Sequence, residues 1–118
     1  MSARILLLPA LVAGALAACQ LPKDPPPGAT GAEIFQLQVC FNCHGERGEG
    51  KDLGPPLRDL GQHWTREDLA DFLGDCERWE EEDERVRALS EEYSGNMRGY
   101  WNLELDERLR LADWLLTL

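Results

Sequence analysis

Residues 40–44 read Cys40-Phe41-Asn42-Cys43-His44. Two thiols separated by two residues, with an imidazole directly behind them, form the attachment pattern of a c-type haem. The sulfurs add across the porphyrin vinyl groups as thioethers. The short spacer lets both reach one edge of the macrocycle, and His44 then turns onto one face of the iron as an axial ligand. Paired thiols serve two other chemistries. A thioredoxin-like couple expects a βαβ setting, and no strand pattern surrounds this string. A structural zinc site needs a second ligand pair, and downstream only Cys76 and His63 remain, too far apart to form one.

The elements that must hold these groups read as helices. Ala32–Val39 is a short helix running into the motif. From Gly45 to Gly61 the chain carries glycines at 45, 48, 50, 54 and 61 and prolines at 55 and 56, the composition of a loop. Thr65 is a helix cap, with Asp68 three residues on as a capping-box partner, and Leu69, Phe72 and Leu73 mark the buried face that follows. Behind the acidic run Glu80-Glu81-Glu82-Asp83-Glu84, the residues Trp79, Val86, Leu89 and Tyr93 form a thin apolar stripe on one helix that Gly95 should end. The last segment places Leu105, Leu109, Ala112 and Leu116 on one stripe, with Leu111, Leu115 and Leu118 beside it.

Residues 1–18 read as a cleaved secretory signal. Arg4 precedes an apolar run, and small residues lead to Cys19. The run is interrupted by Pro9 and is short for a membrane span of about 20 residues. The ending Leu16-Ala17-Ala18-Cys19 resembles the bacterial lipoprotein signal, the lipobox, which implies lipidation at Cys19 and a mature chain that begins there. An ordinary signal peptide that leaves a Cys nearby is the alternative. Residues 19–30 are then the anchor Cys and a proline-rich linker. In polyproline II, the twelve steps to Gly31 would hold a domain up to about 35–40 Å from the lipid. This leaves residues 31–118 as one small domain, whose limited core invites help from a covalent cofactor. In bacteria this attachment motif is filled outside the cytoplasm, so signal and motif agree on an exported protein.

The order of features is N-terminal helix, Cys-x-x-Cys-His, glycine-rich loop, Gly54-Pro55-Pro56-Leu57, helix, isolated Met97, and a C-terminal helix ending in an aromatic. This order resembles a monohaem class I cytochrome c over nearly all of residues 31–118. The resemblance implies an all-α fold, its helices packed around one covalently attached haem c and its iron. It implies that Cys40 and Cys43 are the thioether cysteines and His44 the proximal ligand. By the same resemblance the Pro55 carbonyl accepts from the His44 imidazole and fixes the ring. It also implies that Gly31 and Phe35 cross the C-terminal helix where Trp114 meets them.

His/Met ligation belongs to electron-carrying cytochromes c, and the only methionines are Met1, in the signal, and Met97. Position in the family order points to Met97 as sixth ligand, against its ordinary reading as core filler. The family often follows this Met with Pro, whereas here Arg98 follows, a cation that could pair with a haem propionate. His63 is the competing ligand, read instead as a surface or propionate-side residue. Trp64 faces the propionates or is an ordinary core Trp. Cys76 has no partner in the chain. An odd Cys in an exported protein points to a free thiol or an intermolecular bond, and a small buried hydrophobe is the plainer reading.

Loss of Arg4 leaves 22 acidic against 11 basic side chains, about −11. This excludes nucleic acid and electrostatic attraction to anionic lipid, and it favours redox partner proteins with a basic docking surface. The run at 80–84 is the candidate patch, or simply a solvated helix back. The resulting expectation is a non-enzymatic, lipid-anchored, periplasm-facing one-electron carrier on a bacterial membrane, either a shuttle or a subunit of a respiratory complex, with no small-molecule substrate. Two alternatives stand beside it. One is a haem enzyme or ligand sensor with an open or labile sixth site. The other is a non-haem lipoprotein with a Cys40–Cys43 disulfide.

Overall fold

The computed structural model describes residues 21–118; the signal stretch 1–18 and Cys19 lie outside the described residues. The described chain is all-α, with six helices: α1 (Gly31–Leu37), α2 (Phe41–His44), α3 (Arg66–Gly74), α4 (Cys76–Glu82), α5 (Glu84–Glu92) and α6 (Leu105–Leu115). A single 3₁₀ turn (Leu60–Gln62) precedes α3, and one isolated bridge pairs Lys51 with Gly54 inside the glycine-rich loop.

Several helix starts have a local cause. Thr30 and Glu33 form a reciprocal capping box on α1: the Thr30 hydroxyl accepts from the Glu33 amide at 3.2 Å, and the Glu33 carboxylate accepts from the Thr30 amide at 2.9 Å. Thr65 caps α3 by accepting from the Asp68 amide at 3.1 Å. The stripe from Trp79 to Tyr93 is not one helix. Asp83 adopts an extended backbone and its carboxylate accepts from the Val86 amide at 3.0 Å, so α4 ends and α5 begins at this residue. A short acidic side chain that satisfies the open amides of a helix start competes with continuing the helix through it. Tyr93, already extended, ends α5. Gly95 has a different use: its amide donates to the Leu53 carbonyl at 3.0 Å, and a Cβ there would strike that carbonyl.

The core lies where α6 packs across α1 and α3. At the α1–α6 crossing Gly31 lets the helices touch, since a Cβ would meet the Arg110 carbonyl and lie 2.5 Å from the Trp114 Cβ. One turn along, the rings of Phe35 and Trp114 pack with centroids 5.0 Å apart. Because α6 is covered on two sides, its buried positions are Leu111, Ala112 and Leu115, while Leu105 at the start of the expected stripe is exposed.

Residues 23–29 lie on the domain rather than extending from it as a free spacer. The Lys23 amide donates to the Leu37 carbonyl at 3.0 Å, the Gln38 side-chain amide donates to the Lys23 carbonyl at 2.8 Å, and Ala29 is buried.

Candidate functional site

The interior is not closed. A cavity of about 1160 Å³ opens between α2, the glycine-rich loop, the α3–α5 face and the 93–103 loop. Well-packed interiors of small domains leave few voids larger than a water molecule, so a space of this size in a domain this small calls for a large group to fill it. Its walls carry apolar side chains such as Leu69, Leu73 and Val86, together with Cys40, Cys43, His44, Pro55 and Met97.

The wall at α2 is built from local geometry. Cys40 and Cys43 flank the first turn, Cys40 buried and Cys43 half-buried, and neither is in a disulfide. Burial pushes the Cys40 thiol up to about 11, against a lowering contribution from the Tyr100 hydroxyl beside it. His44 is buried, and its Nδ1 lies 2.8 Å from the Pro55 carbonyl oxygen. A carbonyl only accepts, so Nδ1 carries the proton and the Nε2 lone pair is left free. Burial also lowers the tendency of His44 to protonate, with the Pro55 carbonyl opposing in part. A neutral imidazole oriented by a carbonyl on its far nitrogen is the form that ligates metal.

The loop behind His44 is shaped by glycines. Gly45 and Gly50 have φ of +85° and +89°, a region that costs little only for glycine. The turn lets the Gly50 amide reach the His44 carbonyl at 2.7 Å. At Gly54 a Cβ would lie 3.0 Å from the Cys43 carbonyl and 3.1 Å from the His44 ring. The Pro55 carbonyl therefore reaches the imidazole only because residue 54 has no side chain.

Met97 stands on the 93–103 loop, half-buried and on the cavity wall. The loop is clamped on both sides of it. Before it, the Ser94 and Gly95 amides donate to the Asp52 and Leu53 carbonyls at 3.2 and 3.0 Å; after it, the Tyr100 amide donates to the Leu73 carbonyl at 2.7 Å. The Glu77 carboxylate accepts from the Gly99 amide at 3.2 Å, and Gly99 packs too closely on the Gly74 carbonyl to carry a Cβ.

Trp64 is buried against Phe72 and Trp79, with ring centroids 4.9 and 5.1 Å away, and it walls the cavity. The Arg85 guanidinium sits 4.6 Å from its ring centroid, a cation–π contact on the same wall. His63 is exposed at the cavity rim, and so is Arg98. Cys76 is buried, donates to the Phe72 carbonyl at 3.1 Å, and has its thiol pushed up to about 12 by burial and the neighbouring Glu77. Cys19 lies outside the described residues. Sequence reasoning passed over Tyr100 and Arg85. Neither carries a motif, and each meets the site only through tertiary packing.

Helices folded around an apolar cavity, with two thiols and an oriented imidazole on one wall, define a small all-helical haem protein. A model of the Cytochrome c family matches residues 28–118, and the chain belongs to that family. No curated protein and no solved structure matches the chain. Membership carries with it a covalently bound haem c and its iron, and a haem-based role in electron transfer. The residues present fit that group: the thiols of Cys40 and Cys43 and the free Nε2 of His44 border a cavity of sufficient size. When bound, the haem supplies a reversible one-electron iron couple.

Proposed function

We propose that this chain is a membrane-tethered, non-enzymatic electron carrier, with Cys40 and Cys43 as the thioether sites and His44 and Met97 as the axial ligands. The carrying observation is the pair of rigid supports on the cavity. The Pro55 carbonyl holds the His44 ring at 2.8 Å, and backbone hydrogen bonds at Gly95 and Tyr100 clamp the loop that bears Met97. Two fixed ligands suit electron transfer, because little has to move when the iron changes charge. The His/Met pair also raises the potential. The lipobox-like ending at Cys19 supports an exported, lipid-anchored, periplasm-facing carrier, and the net charge supports a partner with a basic docking surface, with shuttle and complex subunit as two settings of the same chemistry.

The test is the optical spectrum of the mature holoprotein, ferric and ferrous, beside Met97→Ala. The expected result is a low-spin c-type spectrum with a weak far-red sulfur-to-iron band that the substitution abolishes. A high-spin wild-type spectrum, or one that Met97→Ala leaves unchanged, overturns Met97 as ligand and moves the reading to His63 or to an open-site enzyme or sensor.

A further inference from the structure

Gln38 is only 1% exposed, and a buried amide needs a partner at each end. Its nitrogen donates to the Lys23 carbonyl at 2.8 Å, and its oxygen accepts from the Asn102 side chain at 3.3 Å. The same Asn102 nitrogen donates to the Asp24 carboxylate at 3.1 Å. The Lys23 amide adds a bond to the Leu37 carbonyl at 3.0 Å, one of the open carbonyls at the end of α1. The proline-rich strap, the end of α1 and the 93–103 loop are thus joined in one clasp. The strap lies ahead of residues 28–118, the stretch that matches the family. Even so, Pro22 and Asp24 stand on the cavity wall together with Gln38 and Asn102.

The clasp bridges two sides of the cavity. Gln38 is two residues before Cys40, on the wall that carries His44, and Asn102 is five residues after Met97. Among the described residues, the amides of Asn96, Met97 and Arg98 donate to no backbone carbonyl, so the middle of this loop is held from its ends. The Ser94 and Gly95 amides fasten the leading end to the glycine-rich loop, and the Tyr100 amide fastens the trailing end to α3. The Asn102 side chain adds a tie to the Cys40 side. If it swings out, the Gln38 oxygen loses its donor inside the core, and a buried acceptor without a partner is costly.

We propose that Asp24, Gln38 and Asn102 are positioning residues that latch the Met97 loop across the cavity and so keep the sixth ligand on the iron. The strap is then part of the site and not a spacer. The proposal rests on the reading of Met97 as ligand. A loop that stays closed keeps small ligands off the iron and leaves the carrier little to rearrange between its two oxidation states.

The test is cyanide binding to the ferric holoprotein, because cyanide bonds to the iron only once the Met97 sulfur has left it. At low cyanide the apparent second-order rate scales with the fraction of open loop. Asn102→Ala, which cuts both ties, should raise that rate roughly fivefold, the factor carried by one hydrogen bond of ordinary strength. Asp24 is exposed, so Asp24→Ala leaves the core untouched; it should raise the rate by a smaller factor, and Asp24→Asn, which keeps an acceptor for Asn102, should restore it. Asp83→Ala, which removes the α5 cap away from the clasp, should lower the denaturant midpoint and leave the cyanide rate at the wild-type value. Wild-type rates in both Asn102→Ala and Asp24→Ala overturn the latch, and so does an equal acceleration in Asp83→Ala, which would make loop opening a matter of overall stability. A wild-type protein without the sulfur-to-iron band, whose cyanide rate Met97→Ala leaves unchanged, overturns the Met97 reading itself and removes the latch with it.

Discussion

Single residues here act by what they hold in place. Asp71 accepts from the Trp79 indole N–H at 2.8 Å and from the Arg78 guanidinium, and these contacts hold its carboxyl below the usual carboxylate range. A folded-state depression means stability that is present above the unfolded value of about 3.8 and is lost as pH falls through the lower folded value. Asp71→Asn should therefore lower the melting temperature near neutral pH, and the gap to wild type should close in strong acid. Thermal melts across that range check it, and a gap independent of pH would rule the carboxylate out as the cause. Cys76 gives a second prediction at this scale. A thiol pushed up to about 12 and bonded to the Phe72 carbonyl holds almost no thiolate at pH 8. An aromatic disulfide reagent should leave it unmodified in folded holoprotein whose Cys19 is replaced by Ser, and titrate one thiol per chain in denaturant. Rapid reaction in the native state would show that the α3–α4 junction opens.

At the scale of elements, the α1–α6 crossing depends on contact closer than two ordinary side chains permit. Gly31→Ala drives a methyl group into the Arg110 carbonyl, a helix backbone atom, and into the Trp114 Cβ, which is fixed directly to that backbone, so neither can swing aside. Overpacking of this kind typically costs about 1–3 kcal/mol. Gly61→Ala, at a site with nothing within 4 Å, should be neutral or slightly stabilising. Denaturant midpoints of the two variants separate the effects, and equal midpoints would remove the crossing as a point of close contact. The crossing also shows what the sequence could disclose. The thiols and imidazole at 40–44 were legible because their chemistry is written in local spacing, and the helix at 105–115 because its stripe is long. The break at Asp83 was hidden, because an apolar repeat runs across it and only the cap at Val86 reveals it. The use of Gly95 and Gly54 was hidden too. A glycine that admits a neighbouring carbonyl or ring looks in sequence like one that ends a helix or bends a loop. The clasp at Gln38 joins residues 23, 38 and 102, a contact no periodicity records.

For the whole molecule, the excess of negative charge is partly structural and partly free, and the two portions should behave differently toward a partner. Within the run at 80–84, Asp83 caps α5, Glu82 pairs with Arg78 at 3.3 Å, and Glu80 accepts from Ser90 at 3.0 Å. Among the described residues, the carboxylates of Glu81 and Glu84 have no ion pair within 4 Å, and both are exposed. These two remain to act at a distance, over a screening length of about 10 Å at 0.1 M salt. With a basic redox partner, the bimolecular electron-transfer rate of the wild-type holoprotein should fall as ionic strength rises, since attraction between opposite fields accelerates encounter. Reversing Glu81 and Glu84 to Lys should slow the reaction at low salt and flatten its salt dependence. The reduction potential should stay close to wild type, because neither carboxylate borders the cavity, and the melting temperature should fall only slightly, by the loss of Glu84 from the first turn of α5. Substituting Asp83 should do the opposite, lowering stability by about 1 kcal/mol as the cap is lost and altering the salt dependence by no more than one charge in the total. Stopped-flow rates over a salt series, with potentiometry on the same samples, distinguish the outcomes. A salt slope unchanged by the double reversal would place partner docking away from the α4–α5 face.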